Sequence, residues 1–485
     1  MHFAPARNWL NDPNGLVFHN GRYHLFFQHN PQGATHAHIG WGHATSVDLV
    51  SWEEQPMALE CTEDYQVYSG SVVFDEHNTS SLGVAGLAPL IAVFTLDDSH
   101  CAHQTQAIAS SVDGGFTWAM YEGNPVLDRH SPDFRDPKVF RYAGEAGEYW
   151  VMVAVEALQR KVVLYRSDDL KAWSLLSEYG PRGASEGVWE CPDLFPLAVD
   201  DDPDDVRWVL LISMNPGGIA GGSGTMYVVG SFDGVTFTPD EPQPRVGTPG
   251  RMLSRDELDR ELWLDYGRDC YAGVTFSGLP DEERTLIAWM SNWDYARRLP
   301  VEPGREQRGR MTLARRLSLT VIEGRAQLRQ HPIGPALAPA VAQEARAVRD
   351  PLELPELPEA GRIMIEVEFA RARGFELRLG DDPPIVLSVD AVLGELCVDR
   401  TAAAVGFPDS FASIERMPVI GRTRCEIVIW RDQGSLEVFV DGGARVLTDL
   451  TGSSRGVSAS IRGIDGEIGV LRYEAAPIAS DRAGD

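Results

Sequence analysis

At 485 residues, 43% hydrophobic and 24% charged, the chain has a globular composition and the length for two or three domains with full cores. Its 43 Lys and Arg face 71 Asp and Glu, a net charge of −28. That surface repels phosphate backbones and anionic lipid, so neither nucleic acid nor a membrane is an expected partner, whereas a small neutral molecule feels little of the field. No apolar run approaches the ~18 residues of a spanning helix. The opening MHFAPARNWLNDPNG lacks the basic and apolar regions of a signal peptide, and the six cysteines stand scattered; both point to a cytoplasmic protein with reduced thiols.

In chain order, LVFHNGRYHLFFQH (16–29) reads as two strands about an Asn-Gly turn, and PLIAVFTL (89–96), YWVMVAV (149–155) and WVLLISM (208–214) are short, β-branched and aromatic. Long amphipathic helices are absent from the pattern. SVDLVSW (46–52), SVDGGFTW (111–118), SDDLKAW (167–173) and SFDGVTF (231–237) share a Ser, an Asp turn and an aromatic, and their last residues stand 66, 55 and 64 positions apart. Units of about 60 residues holding four strands fit propeller blades. Four marked units and an unmarked one over 265–325 predict five blades in residues 1–330. The Pro- and Ala-rich stretch 331–360 reads as a linker with one short helix. Beyond it the alternating runs RIMIEVEFA (362–370), CEIVIW (425–430) and SLEVFVDGG (435–443) predict a C-terminal β-sandwich over 361–485. The fold class is all-β.

Five polar clusters interrupt the strands: NDPNG (11–15), YSGS (68–71), FRDPKVF (134–140), WECPDLFP (189–196) and DYGRDCYAG (265–273). Their markers Asp12, Ser69, Asp136, Glu190 and Tyr271 are 57, 67, 54 and 81 residues apart, about one per unit. The innermost strands of a propeller face one channel, so clusters in phase with the blades converge at one end of it. Three carboxylates gathered without a metal suit glycosidic chemistry, in which one attacks and a protonated second gives its proton to the leaving oxygen. Pro13 and Pro137 hold Asp12 and Asp136 extended. Trp189 and Pro192 give Glu190 an apolar setting that favours the protonated form, which makes it the better acid. Cys191 reads equally as a packed thiol or as a group that tunes its neighbour.

Metal binding is not the reading of His36, His38, His43, His100 and His103, whose spacing is a weak signal, nor of the acidic run VDDDPDDVRW (199–208), a solvated turn. GGIAGGSG (217–224) lacks the Lys-Ser/Thr of a phosphate loop and reads as a flexible loop over the pocket face. No cofactor is implied.

Together these segments resemble glycoside hydrolase family 32, the β-fructofuranosidases, which include invertases, levanases and exo-inulinases. NWLNDPNG…YHLFFQHNP, YSGS, FRDPKVF, WECPDLFPL, DYGRDCYAGVTF and IAWMSNWDYA are similar to ordered family motifs lining one pocket, and LEVFVDGG to its sandwich. The resemblance implies a retaining exo-hydrolase of terminal β-D-fructosyl units of sucrose, fructooligosaccharides or fructans. Asp12 is then the nucleophile, Glu190 the acid/base and Asp136 a transition-state stabiliser. Asn11, Gln28, Ser69, Tyr271 and Trp289 line the fructose site, with Trp41 as a further candidate for its wall, and Arg135 helps keep Asp136 ionised. A fructosyltransferase on the same carboxylates and a non-catalytic carbohydrate-binding propeller are the alternatives, and assembly into a homo-oligomer stays open. The sequence departs from the family pattern at His36 and Gln307, where Trp is common, and at Cys270, where Phe is frequent. The first two place the entrance and its grip on the leaving group in question.

Overall fold

The computed structural model describes residues 1–479 except 145–146, 242–252, 302–305, 344–345, 422, 433, 453 and 455. Five four-stranded units follow one another. The first holds Asn8–His19, Arg22–Asn30, Gly40–Ser46 and Trp52–Leu59; the second Tyr65–Phe74, Leu90–Asp98, Gln104–Ser111 and Ala119–Met120, with Leu127–Ser131 added beside Gln104–Ser111. The third holds Phe134–Gly144, Gly147–Glu156, Lys161–Ser167 and Ser174–Tyr179; the fourth Val188–Val199, Asp202–Asn215, Gly224–Phe232 and Phe237–Pro239. Tyr271–Thr275, Thr285–Trp289, Ala314–Ile322 and Arg325–Ile333 make the fifth, joined to the fourth by the Val199–Leu319 bridge. First strands of neighbouring units touch one another all the way round, the fifth meeting the first. That is a closed five-bladed propeller.

The repeat is a hydrogen-bonded device. Ser46, Ser111 and Ser167 donate from Oγ to Asp48, Asp113 and Asp169 at 2.9, 2.7 and 3.1 Å. Each Asp then accepts backbone N–H groups two to four residues on, as Asp233 does in the fourth blade. The indole N–H groups of Trp52, Trp118 and Trp173 close the same turn on the carbonyls of Leu49, Gly115 and Leu170. This Asx turn carries the third strand of a blade into the fourth. The fifth blade turns at Glu323-Gly324, both at positive φ (50° and 81°), and so needs no such marker.

All five inner strands carry an extra residue relative to their partners near the marker position, and the first carries a second one between Asn14 and Val17. The register slips between Leu10 and Pro13, Val67 and Gly70, Arg135 and Lys138, Glu190 and Asp193, and Tyr271 and Val274. These are the marker positions. A bulge bends its strand and breaks the strict alternation of faces, so a side chain beside it is re-aimed. Asp136, Cys191 and Ala272 sit at φ 62°, 46° and 54° within their bulges.

The ring is fastened by a short strand, Gln307–Arg308, running parallel to Asn8 and Trp9 on the first blade. Two further sheets form the C-terminal sandwich. Ile363, Ile365, Ile427, Ile429 and Val438 of one pack with Phe375, Leu377, Leu387, Val389 and Ile461 of the other. The stretch expected to hold a short helix instead contributes Val341–Gln343, Arg346–Val348 and Leu352–Glu353 to sandwich edges, with no helix among its described residues. Sheet edges supplied from residues 459–477 dictate strand there, which local composition does not reveal.

Candidate active site

The inner strands of the first four blades surround a cavity of about 420 Å³ lined by Asp12, Asp136 and Glu190, a size suited to a small ligand. Asp12 is held by two donors, Asn11 Nδ2 to Oδ1 at 3.0 Å and Ser69 Oγ to Oδ2 at 2.9 Å. Asn11 is oriented in turn by the Trp9 indole N–H at 2.7 Å. Burial, then the negative charge of Glu190, push the Asp12 carboxyl up to about 6.

Asp136 takes its aim from the bulge, where its φ of 62° is left-handed and not the extended conformation expected before Pro137. Its N–H donates to Thr95 Oγ1 at 3.0 Å, and its Oδ2 accepts the Cys191 N–H at 2.8 Å. Burial pushes its carboxyl up to about 7 against the pull of Arg135. The guanidinium does pull Asp136 toward the ionised form, as expected, but burial outweighs that pull. It lies 3.9 Å from Asp136 but 3.2 Å from Glu190 Oε1, and also donates to Asp133 and Gln104. The other Glu190 oxygen accepts the Tyr271 hydroxyl.

Glu190 thus sits between a cation and a phenol, not in an apolar setting. Trp189 points the other way, stacking on Tyr179 and donating to the Ala184 carbonyl at 3.1 Å, because consecutive strand residues face opposite sides. Cys191 Sγ reaches Oδ2 of both Asp12 and Asp136 at 3.6 Å. Burial and the adjoining aspartates push this thiol well above its ordinary range, so it stays S–H and donates as well as packs. Beneath the carboxylates, Lys138 pairs with Asp193 at 3.0 Å, and Asp193 accepts from Thr275, tying three inner strands together. The sequence reading assigned Lys138 and Asp193 no role, although both stand in the quoted motifs.

The remaining walls differ in part from expectation. Asn11, Gln28, Ser69 and Arg135 line the cavity. Trp41 does not. Fully buried, it packs on Phe26 and Phe94 and donates to the Tyr68 carbonyl. Trp289 and Tyr271 are buried below the cavity and contact each other edge-on; only the Tyr271 hydroxyl reaches the carboxylates. The aromatic wall is Trp293, Tyr68 and His36, with His36 edge-on to Trp293 at 5.3 Å. Burial, then Arg297, lower the His36 ring to about 4, so it is neutral at ordinary pH.

Gln104, Asn215, Trp293, Tyr68 and Arg297 also line the cavity and were missed. Trp293 and Tyr68 stand inside quoted motifs, whereas Gln104, Asn215 and Arg297 carry no local signal. Gln307 is in the fastening strand, its amide turned to the Gly309 carbonyl, and Cys270 packs in the core of the last two blades. Neither shapes the entrance. Asp265 and Asp269 of DYGRDCYAG bind the sandwich instead of the pocket, through Arg315 with Thr448 and through Arg400 with the Leu450 N–H.

Residues 2–332 match the family profile "Glycosyl hydrolases family 32 N-terminal domain" and residues 340–461 match "Glycosyl hydrolases family 32 C terminal". The chain belongs to glycosyl hydrolase family 32.

As a family 32 enzyme it is 37% identical to a levanase of Bacillus subtilis (strain 168), over 93% of this chain and 65% of that protein's length. It is 36% identical to an extracellular exo-inulinase of Aspergillus niger, over 92% of this chain and 88% of that protein. The crystal structure of exo-inulinase from Aspergillus awamori superposes with a TM-score of 0.87 at 34% identity, covering 99% of this chain and 98% of that one. The family 32 propeller and its sandwich are thus both present, and the carboxylate pocket lies within the N-terminal match.

Proposed function

We propose that this family 32 chain is a retaining exo-hydrolase that releases terminal β-D-fructosyl units from sucrose, fructooligosaccharides and fructans. The observation that carries the reading is the convergence of three carboxylates from three blades, each held differently. Asp12, fixed by Asn11 and Ser69 with one face on the cavity, attacks the anomeric carbon. Glu190, with a 22%-exposed side chain, protonates the leaving oxygen and later takes a proton from water. A proton on Glu190 removes the like charge that raises Asp12 and Asp136, so the acid form of one favours the ionised form of the others. Arg135 pairs with Glu190 Oε1 at 3.2 Å and so holds this side chain in place when it acts as base. Asp136 accepts sugar hydroxyl protons, an interaction that strengthens as oxocarbenium-like charge develops. The substrate class is supported by the names of the relatives, levanase and exo-inulinase.

The test is release of free fructose from sucrose, a short inulin oligomer and levan, side by side, with the anomer of the first-formed fructose followed by NMR. Early fructose is expected in the β form. Asp12→Asn and Glu190→Gln should each cut turnover by roughly 10³-fold or more with the fold intact. An inverted first product, or near wild-type activity in either variant, overturns the assignment. Oligosaccharide growth in place of free fructose would make the chain a transferase.

A further inference from the structure

We propose that the rim of the second blade carries a binding site for a divalent cation of the zinc class, held by His103, Asp128 and His130. Nothing in the glycosidic reading uses these residues. The sequence shows His100 and His103 three positions apart, a weak signal by itself. The structure adds partners from a different segment. Gln104–Ser111 pairs with Leu127–Ser131, Gln104 opposite Ser131 and Thr105 opposite Asp128, with a register slip between them. That slip brings the end of the His103 turn against the Asp128 carboxylate.

The three side chains offer ligand atoms that all lie within 4.8 Å of one another. His103 Nε2 is 2.9 Å from Asp128 Oδ1, and His130 Nδ1 is 3.1 Å from Asp128 Oδ2. His130 adopts φ 57°, a left-handed conformation uncommon for a side chain of this size, and its N–H donates to Asp128 Oδ1 at 2.6 Å. The imidazoles stack at 6.3 Å. The backbone thus turns two imidazoles onto one carboxylate.

Two imidazole nitrogens and a carboxylate oxygen form the donor set of an open zinc-class site, with further coordination positions left for water. Access is provided: His103 is 34% and His130 88% exposed, Asp128 26%. The net charge of −28 raises the cation concentration near such a surface. A second group, Asp98, Cys101 and His103, shares the central imidazole. It lies wholly within one hairpin turn and draws no ligand from a second segment. The geometry favours the group that joins two segments.

The test is equilibrium dialysis of the full, metal-stripped chain against Zn²⁺ near neutral pH, with fructose release as the check that each variant is folded. One equivalent is expected to bind, with affinity at least tenfold weaker in His103→Ala and in His130→Ala and unchanged in His100→Ala. Absence of stoichiometric binding, or equal affinity in the His103→Ala/His130→Ala double variant, overturns the site. Substituting Co²⁺ reads the donors directly. A thiolate charge-transfer band lost in Cys101→Ser, with Zn²⁺ affinity untouched in His130→Ala, would place the ion in the hairpin group and overturn this assignment.

Discussion

Asp12 and Asp136 are carboxylates whose protons bind more tightly in the folded chain than in the unfolded one, and two consequences follow for pH. On the proposed mechanism Asp12 attacks as the anion, so kcat/KM should fall as pH drops through about 6, the Asp12 value. Ser69 stabilises the anion, so Ser69→Ala should move that limb to higher pH; an unmoved limb would show that another group sets it. Stability has the opposite sign. Between the ordinary carboxylate value of 3.8 and the folded values of about 6 and 7, the folded state holds more protons. The charged cluster is therefore most destabilising above pH 7 and is relieved as pH falls toward 4. Asp136→Asn keeps the acceptor for the Cys191 N–H and should be more stable than wild type at neutral pH, by roughly 1–3 kcal/mol, with the gap closing in acid. Thermal melts at two pH values check both the sign and the closing.

Single side chains also show where sequence reading stops. The carboxylates were legible because three unusual clusters kept step with the blades. Trp41 was misplaced because GWGHATS is buried along its whole length, leaving no alternation from which to read a face. His36 does face the cavity. Its replacement of an indole should keep sucrose, a trisaccharide and a pentasaccharide within about tenfold in kcat/KM, since one stacked ring is worth on the order of 1 kcal/mol. His36→Trp should change those ratios, and unchanged ratios would mean that the leaving group never meets this ring.

Among elements, the bulged inner strand and the Asx turn do different work. The turn sets the blade's outer half and is far from chemistry. Asp113 accepts from Ser111, Phe116 and twice from Thr117, so Asp113→Ala should lower stability by about 1–2 kcal/mol and leave kcat unchanged. Denaturant midpoints and initial rates on the same preparation separate the two effects. These turns made the repeat legible, since each is specified within seven or eight consecutive residues. The bulges were visible only as polar interruptions; which residue they turn inward depends on the partner strand. The edge strands of 341–353 were illegible for the same reason, their partners lying more than a hundred residues away.

On the scale of the molecule, the sandwich reaches toward the pocket through buried ions. Arg400 donates to Asp269 Oδ2 at 2.6 Å and to the Tyr295 hydroxyl at 2.9 Å, and Tyr295 is two residues from both Trp293 and Arg297 of the cavity wall. Arg400→Met leaves Asp269 buried without its cation and should cost about 3–5 kcal/mol. It should also raise KM more than it lowers kcat, because the wall moves while the carboxylates stay. A variant with lowered stability and unaltered KM would confine the sandwich to a supporting role. The two-domain division was legible from the Pro- and Ala-rich stretch 331–360 and the alternating runs that follow it, but the ionic staple was not. Its aspartates were read with the pocket because they share a motif with Tyr271.

The short Gln307–Arg308 strand bears on the order of events on the ribosome. The strand carrying Asp12 finds that neighbour only about 300 residues after it has been made, and His2 meets Glu437 later still. At 5–20 residues per second, the edge of the first blade waits roughly 15–60 s with its N–H and C=O groups unpaired. Blades two to four complete their own sheets in the meantime. Nascent chains arrested before residue 306 should therefore be cut by protease within the first blade while the third resists, and chains released after the sandwich should resist throughout. The strand of Asp12 is made first and secured last, so on the proposed mechanism activity arrives as a single late event rather than growing with chain length.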